Sequence, residues 1–495
     1  HAYASPRHER RLARAARALG IPVTASSELC PEIREYERIA TTVTNAYLLP
    51  RLSAYVGALA RGARGRLEIV LSHGGTSPPA AAAREPVRQL LSGPAGGLSA
   101  AAGVARACGF DRALTLDVGG TSTDVAFLDG AELPRSRARE IDGFPVLLPM
   151  LDVHTVGAGG GSIAWVDAGG LPNVGPRSAG AEPGPAAYGR GGPATVTDAL
   201  LVLGRIPLAS LGGGALPLDR AAAIAAMRAF GQCIGRPRPE AAANAIVALA
   251  EARMSSALRA VSVERGRDPR GAALVAFGGA GGLHACALAE SLECEAVIFP
   301  EHAGVLSALG AVLGGARRER SRSVLLDAAE TVALSRAFAS LERVVLAELP
   351  AEDRRRARIT RWVEARYRGQ SHELSLPAGP GLRARFDRAH LDRFDYFVSP
   401  ARVEVVTIDV RAAVPEGFPA EAPVVVRAAR PARTQAIVGT ARREVPVHPF
   451  EALGRRRVTG PALVMQSGAT LWVPPGWRGA RMRGGALVLR RGRKA

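Results

Sequence analysis

Two aspartates flank three hydroxyl side chains in one short run of this 495-residue chain. The run reads Leu114-Thr115-Leu116-Asp117-Val118-Gly119-Gly120-Thr121-Ser122-Thr123-Asp124-Val125-Ala126. Apolar residues on both sides of the paired glycines predict a buried strand ending at Asp117, a turn, and a return strand opened by Asp124. Paired glycines in such a turn expose N–H groups as an anion nest, and the two carboxylates suit a hydrated Mg²⁺. A plain hairpin turn needs only one or two Gly or Asn residues. Two aspartates flanking three hydroxyls exceed that need, so the run reads as a phosphate site.

Two further clusters could do chemistry. Val153-His154-Thr155-Val156-Gly157-Ala158-Gly159-Gly160-Gly161-Ser162 follows directly on Asp152. Each glycine costs a regular element up to ~1 kcal/mol, so this loop is expected to exist for close backbone approach. Its bland alternatives are a flexible surface loop and, for His154, a packing residue on a strand. The third cluster is Leu274-Val275-Ala276-Phe277-Gly278-Gly279-Ala280-Gly281-Gly282-Leu283-His284-Ala285. A hydrophobic strand, a glycine turn and a helix beginning at Leu283 resemble nucleotide-binding turns, although a close helix–strand crossing would also call for glycines.

The elements that must position these clusters follow from pattern. Residues 1–20 are a basic, Ala/Arg-rich helical stretch. From Ile21 to about Val312, β-like runs alternate with glycine turns and alanine-rich helices, including 93–108, 219–230 and 239–265, which predicts α/β layering. The charged seam Arg317-Arg318-Glu319-Arg320 marks a change. After it a helix near 328–349 precedes short alternating runs at 358–367, 371–376, 402–412, 461–466 and 486–490, a β-rich pattern.

Composition excludes several classes. Hydrophobic residues at 47% and charged residues at 22% exclude bulk disorder. The formal charge is +19, but the sole lysine is Lys494 and every other cation is arginine. With the surplus of Ala, Gly and Pro, that lopsidedness reads as codon bias rather than a nucleic-acid surface, which more often mixes Lys with Arg and interleaves aromatics. No nucleic-acid partner is expected. Five scattered cysteines without a CxxC pair fit neither a disulfide framework nor a zinc knuckle, and point to reducing cytoplasm. The uncharged stretch 271–289 holds too many glycines for a membrane span, so no membrane association is expected. The chain opens at His1 with no methionine before Met150, from which the natural N-terminus is expected to lie upstream.

Together the motifs carry a resemblance. The Asp117–Asp124 turn resembles the second phosphate motif of the actin, sugar-kinase and heat-shock-chaperone ATPases, and Phe277–Gly282 resembles their adenosine-contacting motif. More narrowly, the chain resembles the A-type subunit of the hydantoinase/oxoprolinase family. The matching text includes Glu32-Ile33-Arg34-Glu35-Tyr36-Glu37-Arg38, Thr41-Thr42-Val43-Thr44-Asn45-Ala46-Tyr47 and Leu91-Ser92-Gly93-Pro94-Ala95-Gly96-Gly97. It continues through Thr195-Val196-Thr197-Asp198-Ala199, Arg366-Tyr367-Arg368-Gly369-Gln370-Ser371-His372-Glu373-Leu374 and Gly460-Pro461-Ala462. One turn departs from the family's style and reads Ser72-His73-Gly74-Gly75.

The resemblance implies an actin-like ATPase core of ribonuclease-H-like α/β layers over 21–312, followed by a β-rich C-terminal domain over 318–495. It implies an ATP- and Mg²⁺-dependent reaction that phosphorylates and so activates a small cyclic amide, a hydantoin or 5-oxoproline, with a B-type partner subunit completing ring opening. A carboxylase branch of the family uses the same turns, and a non-catalytic, partner-binding fragment is the reading from another class. In the amidohydrolase scheme Asp117 holds Mg²⁺ through water, and Gly119, Gly120, Thr121, Ser122 and Thr123 bind the β- and γ-phosphates. Asp124 orients the nucleophile or a metal-bound water, while Gly278, Gly279 and Gly281 pack on adenosine. Asp152, as a second metal-site carboxylate, and His154, with Gly159 and Gly160, face the substrate. Family members also carry an N-terminal lobe with the first phosphate turn. No counterpart falls within this sequence, so residues 1–20 are expected to be a remnant of that domain, and ATP turnover by this chain alone is not expected.

Overall fold

Ala113, Leu114, Leu116 and Val118 are all fully buried. They lie on a strand that stands near the middle of an eight-stranded sheet. The structure, a computed structural model, describes residues 1–130, 132–211, 215–313, 315–414, 431–454, 456–482 and 484–492. The strands of this sheet are β1 (Arg112–Val118), β2 (Thr123–Asp129), β3 (His154–Val156), β4 (Ala273–Phe277), β5 (Ala296–Phe299), β6 (Val458–Thr459), β7 (Trp477–Arg481) and β8 (Leu487–Arg491). Their order is β6-β7-β8-β5-β4-β1-β2-β3. β1, β2 and β3 form an antiparallel meander, and β4 and β5 run parallel to β1. The order 3-2-1-4-5 with that mix of directions is the expected ribonuclease-H-like arrangement, in a mixed α/β fold. β4 and β5 are buried along their whole length, as strands covered on both faces must be. Helices α1 (Ser92–Ala107), α2 (Val196–Val202), α3 (Pro239–Val261), α4 (Gly278–Ser291) and α5 (Leu306–Leu313) accompany the sheet.

The chain partitions into two compact units that interleave along the sequence instead of dividing at 312–318. One comprises Gly96–Pro134, Asp152–Ala311 and Gly417–Ala495 and holds the eight-stranded sheet. The expected β-rich C-terminal domain is therefore split: β8 pairs with β5, so its last strands extend the central sheet. Edge pairing of this kind is set by contacts some 190 residues apart in sequence, which local patterning does not register.

The other unit comprises His1–Ala95, Arg135–Leu151 and Val312–Glu416. Its antiparallel sheet is ordered Arg317–Asp327, Val403–Ala413, Arg358–Tyr367, Leu374–Pro377. Helices Thr331–Ala347 and Leu382–Phe394 share its core with Phe338, Val345, Phe386 and Ile408. The charged seam is the first strand of that sheet. It tolerates burial because its charges are matched: Glu319 pairs with Arg135 and with Arg411 at 3.3 Å, and its carboxyl is held down to about 2 by those guanidiniums against the opposing effect of burial. In the Ser72–Gly75 turn, buried His73 accepts the Gly75 N–H at Nδ1 (3.2 Å). Burial pushes its ring down to about 3, so it is neutral at pH 7.

Candidate functional site

The register of the central sheet places two carboxylates side by side. Asp117 and Asp124 are direct cross-strand partners in the β1–β2 hairpin, so their side chains leave the same face of the sheet. Asp124 is paired on its other side with Thr155 of β3, whose hydroxyl donates to Asp124 Oδ1 at 2.5 Å. The Ser307 hydroxyl of α5 donates to Asp117 Oδ2 at 3.2 Å. Burial, and then the neighbouring Asp124 charge, push the Asp117 carboxyl up to about 6, against the lowering effect of the Ser307 bond. Two carboxylates this close relieve their repulsion either by holding a proton or by sharing a cation.

The turn after Asp117 is open. Gly119, Gly120 and Thr121 are exposed and Ser122 is half-buried. Thr123 is different: it is fully buried, and its hydroxyl donates to the Ala158 carbonyl. Of the three hydroxyls, then, two remain free to meet a ligand.

Beside this turn the parallel strand β4 ends in register, with Phe277 opposite Asp117. Both chains leave the sheet at the carboxyl ends of parallel strands, where α/β folds bind ligands. The helix that follows starts at Gly278 and not, as the sequence suggested, at Leu283. Glycines are poor helix formers, but Gly278 has φ +75°, and a Cβ there would collide with Asp117 Oδ1 and the Val118 carbonyl. Close approach to the carboxylate overrides propensity. Gly279 is exposed at the first turn of α4, whereas Gly281 is buried against the Leu116 carbonyl and serves packing.

The glycine loop after β3 braces the turn. Gly160 N–H donates to the Gly119 carbonyl (3.0 Å) and Gly161 N–H to the Gly120 carbonyl (2.6 Å). A Cβ on Gly159 would sit 2.8 Å from both Gly119 O and Ser122 N. Gly160 is itself held by Thr197 of α2, whose N–H (2.7 Å) and hydroxyl (2.8 Å) both donate to its carbonyl. The Thr195–Asp198 capping box fixes the start of α2. Asp198 is spent on three backbone N–H groups and the Thr195 hydroxyl, a structural role.

The structure does not gather every residue the sequence singled out. His154 is paired with Val125, and strand alternation turns it to the face opposite Thr155 and the aspartates. Asp152 is ion-paired with Arg265, so its charge is already matched. Among the described residues no group of three or more His, Cys, Asp or Glu could hold a metal ion. A cation here would have the Asp117–Asp124 oxygens and otherwise water or phosphate, the donor set that Mg²⁺ takes.

A cleft of about 710 Å³ opens between the turn and the start of α4. Gly119, Gly120, Gly160, Gly279 and Ala280 line its polar end. The rest is lined by residues that include Leu283 of the third glycine cluster and Thr197, together with Tyr188, Leu200, Ile206 and residues 465–470, which the sequence did not single out as a site.

A ribonuclease-H-like core with paired carboxylates and two glycine-rich turns at the carboxyl ends of adjacent strands defines a mixed α/β class of fold, of the kind that places ligands at those strand ends. Within that class, the chain belongs to the hydantoinase/oxoprolinase family, whose model matches residues 38–320. It is 34% identical to the caprolactamase alpha subunit of Pseudomonas jessenii over 96% of this chain and 73% of that one. A crystal structure of the ATP-dependent caprolactamase from that organism superposes with a TM-score of 0.82 at 31% identity, covering 99% of this chain and 76% of that one. The 5-oxoprolinase of Saccharomyces cerevisiae is 31% identical over 83% of this chain, which spans only 34% of that protein's length. A nucleotide-free acetone carboxylase structure shares the fold, with a TM-score of 0.78 at 24% identity over 99% of this chain and 75% of that one. Among the described residues no helix is long and apolar enough to cross a membrane.

Proposed function

We propose that this chain is the ATP-consuming part of an enzyme that activates a small cyclic amide, of the hydantoin or 5-oxoproline kind, for ring opening. The observation that carries the reading is the Asp117–Asp124 pair, held by Ser307 and Thr155 beside the open Gly119–Thr121 turn. ATP is a co-substrate. The Gly120 amide and the first turn of α4 receive its phosphates, the Gly119 N–H being donated instead to the Ser122 carbonyl (3.1 Å), with the helix N-terminus favouring negative charge. Asp117 and Asp124 would hold a hydrated Mg²⁺, which supplies charge neutralisation at the phosphates.

Amide resonance makes ring opening slow. Transfer of the γ-phosphoryl group to the amide oxygen turns that carbon into a better electrophile. Asp124, oriented by Thr155, aligns the attacking oxygen, and such positioning supplies most of the rate in phosphoryl transfer. Ring opening by water falls to a hydantoinase B-type partner subunit, in a cytoplasmic assembly supplied with ATP.

The test is phosphate release by the chain with its partner, in the presence of hydantoin, 5-oxoproline or caprolactam. Stimulation by a cyclic amide supports the reading. Stimulation only by a ketone with bicarbonate assigns the carboxylase branch, and no turnover with any of them leaves a non-catalytic, partner-binding role.

A further inference from the structure

The unit that comprises His1–Ala95, Arg135–Leu151 and Val312–Glu416 holds a recess of about 190 Å³, whose lining shares no residue with the cleft at the Gly119–Gly120 turn. Leu71, Pro78 and Ala81 form an apolar side. The remainder is mostly charged, with four arginines against three glutamates. Nearly all of these charges are spent. Arg320 donates to Glu85 and to Glu348 at 2.8 Å each, Arg88 pairs with Glu85, and Arg318 donates to Glu68 at 3.2 Å. Glu319 is taken by Arg135 and Arg411. Arg84 is left over: it is exposed, and among the described residues its guanidinium has no ion pair. His73 lines the same recess although it is only 3% exposed. It sits in the Ser72–Gly75 turn, where the sequence departs from the family's style. Its Nδ1 accepts the Gly75 N–H and burial keeps its ring neutral at pH 7, so the ring proton sits on Nε2. Among the described residues nothing accepts that proton.

We propose that this recess is a binding site for a small monocarboxylate with an apolar body. The Arg84 guanidinium and the His73 Nε2–H donate to the carboxylate oxygens, and Leu71, Pro78 and Ala81 pack on the body. Both groups left without partners are donors, and one positive charge of the lining is in surplus, so the complement is a single anionic acceptor. Hydrogen bonds to an ionised acceptor are about twice as strong as neutral ones. A buried N–H left unmade is costly, and a bound carboxylate removes that cost. A metal cation or an amine would find each lining glutamate already paired with arginine. The volume, equal to that of about six waters, takes a compact acid and excludes a nucleotide. The proposal does not depend on the nucleotide reading.

The experiment is calorimetric titration of the intact chain with cyclopentanecarboxylate and with 5-oxoproline, each against its own primary amide. At least one acid is expected to bind at ~1 mM or tighter, and its uncharged amide about tenfold more weakly or worse. Arg84→Met, at an exposed position with no ion pair to break, should weaken binding of the acid by about tenfold or more. His73→Asn should weaken it by about threefold or more. Asn still accepts the Gly75 N–H and so keeps the turn, but it does not carry a donor to the reach of the imidazole Nε2. Circular dichroism checks the folding of both variants. Binding at full strength in Arg84→Met, or equal affinity for acid and amide, places the ligand elsewhere in the chain and overturns the proposal. So does the absence of binding by either acid.

Discussion

Replacing Asp117 by Asn should make the ligand-free chain more stable at neutral pH, although the residue is central to the site. Its carboxyl is raised from 3.8 to about 6 by burial and by the Asp124 charge, so the folded state holds the proton more tightly than the unfolded chain does. Below about pH 4 both states are protonated and the group costs nothing. As pH climbs from about 4 to 6 the unfolded chain releases its proton first and folded stability falls; above about 6 the full cost is present. A rise of that size corresponds to about 3 kcal/mol at 1.36 kcal/mol per tenfold change in proton affinity, an upper bound because the denatured reference retains structure. Asn keeps the shape and can still accept from Ser307, but never ionises. Urea unfolding followed by tryptophan fluorescence reads mainly the right unit, since three of the four tryptophans, Trp165, Trp472 and Trp477, lie in it, and Trp362→Phe removes the signal of the other unit. Asp117→Asn is expected to gain about 1–3 kcal/mol at pH 7.5 without Mg²⁺, shrinking to nothing near pH 4. A variant that is less stable at pH 7.5, or whose gain does not shrink on acidification, refutes the carboxylate-pair argument.

Other outcomes follow from the same geometry. Gly159→Ala should lower nucleotide affinity at least tenfold in a fluorescent-nucleotide titration, because the added methyl displaces the Gly119–Ser122 backbone. Thr155→Val should lower turnover of the assembled enzyme by roughly 10-fold while nucleotide affinity stays within twofold, since the lost bond orients Asp124 and does not touch phosphate. His154→Ala should leave nucleotide affinity within twofold, because the ring faces away from the aspartates; a tenfold loss would contradict that placement. Despite the +19 charge, duplex DNA binding at ~150 mM salt should be weaker than micromolar, and a sub-micromolar affinity with a steep salt slope would revive a nucleic-acid role.

What was legible in the sequence is what neighbours in the chain decide. The β1–β2 hairpin with its aspartate pair could be read because alternation, a glycine turn and alternation again lie within eighteen residues. The helix after β4 was read with its start too late, since propensity counts glycine against a helix, and only the Gly278–Asp117 approach explains it there. The glycine loop is expected to face the substrate, and Gly160 lines the cleft; that the Gly160 and Gly161 amides also donate to the carbonyls of the phosphate turn is a role that needs the turn's position in space. Ser307 meets Asp117 across 190 residues of sequence, and no local signal announces it. Thr155 was within reach, because a third antiparallel strand in register puts alternate residues beside Asp124. The sequence groups the hairpin 462–473 with a separate C-terminal domain, since its short apolar runs carry no mark of the helix Gly278–Ser291 they pack on.

We propose Asp117 and the Gly119–Thr123 turn as a Mg-nucleotide phosphate site. Calorimetric titration of Mg-ATP into the 495-residue chain, repeated with Asp117→Ala and across pH 5 to 8, tests it most directly. Single-site binding is expected that tightens as pH rises through about 6, where Asp117 ionises, and that is lost in Asp117→Ala. Equal affinity for the two proteins, or binding indifferent to pH across that window, would contradict it.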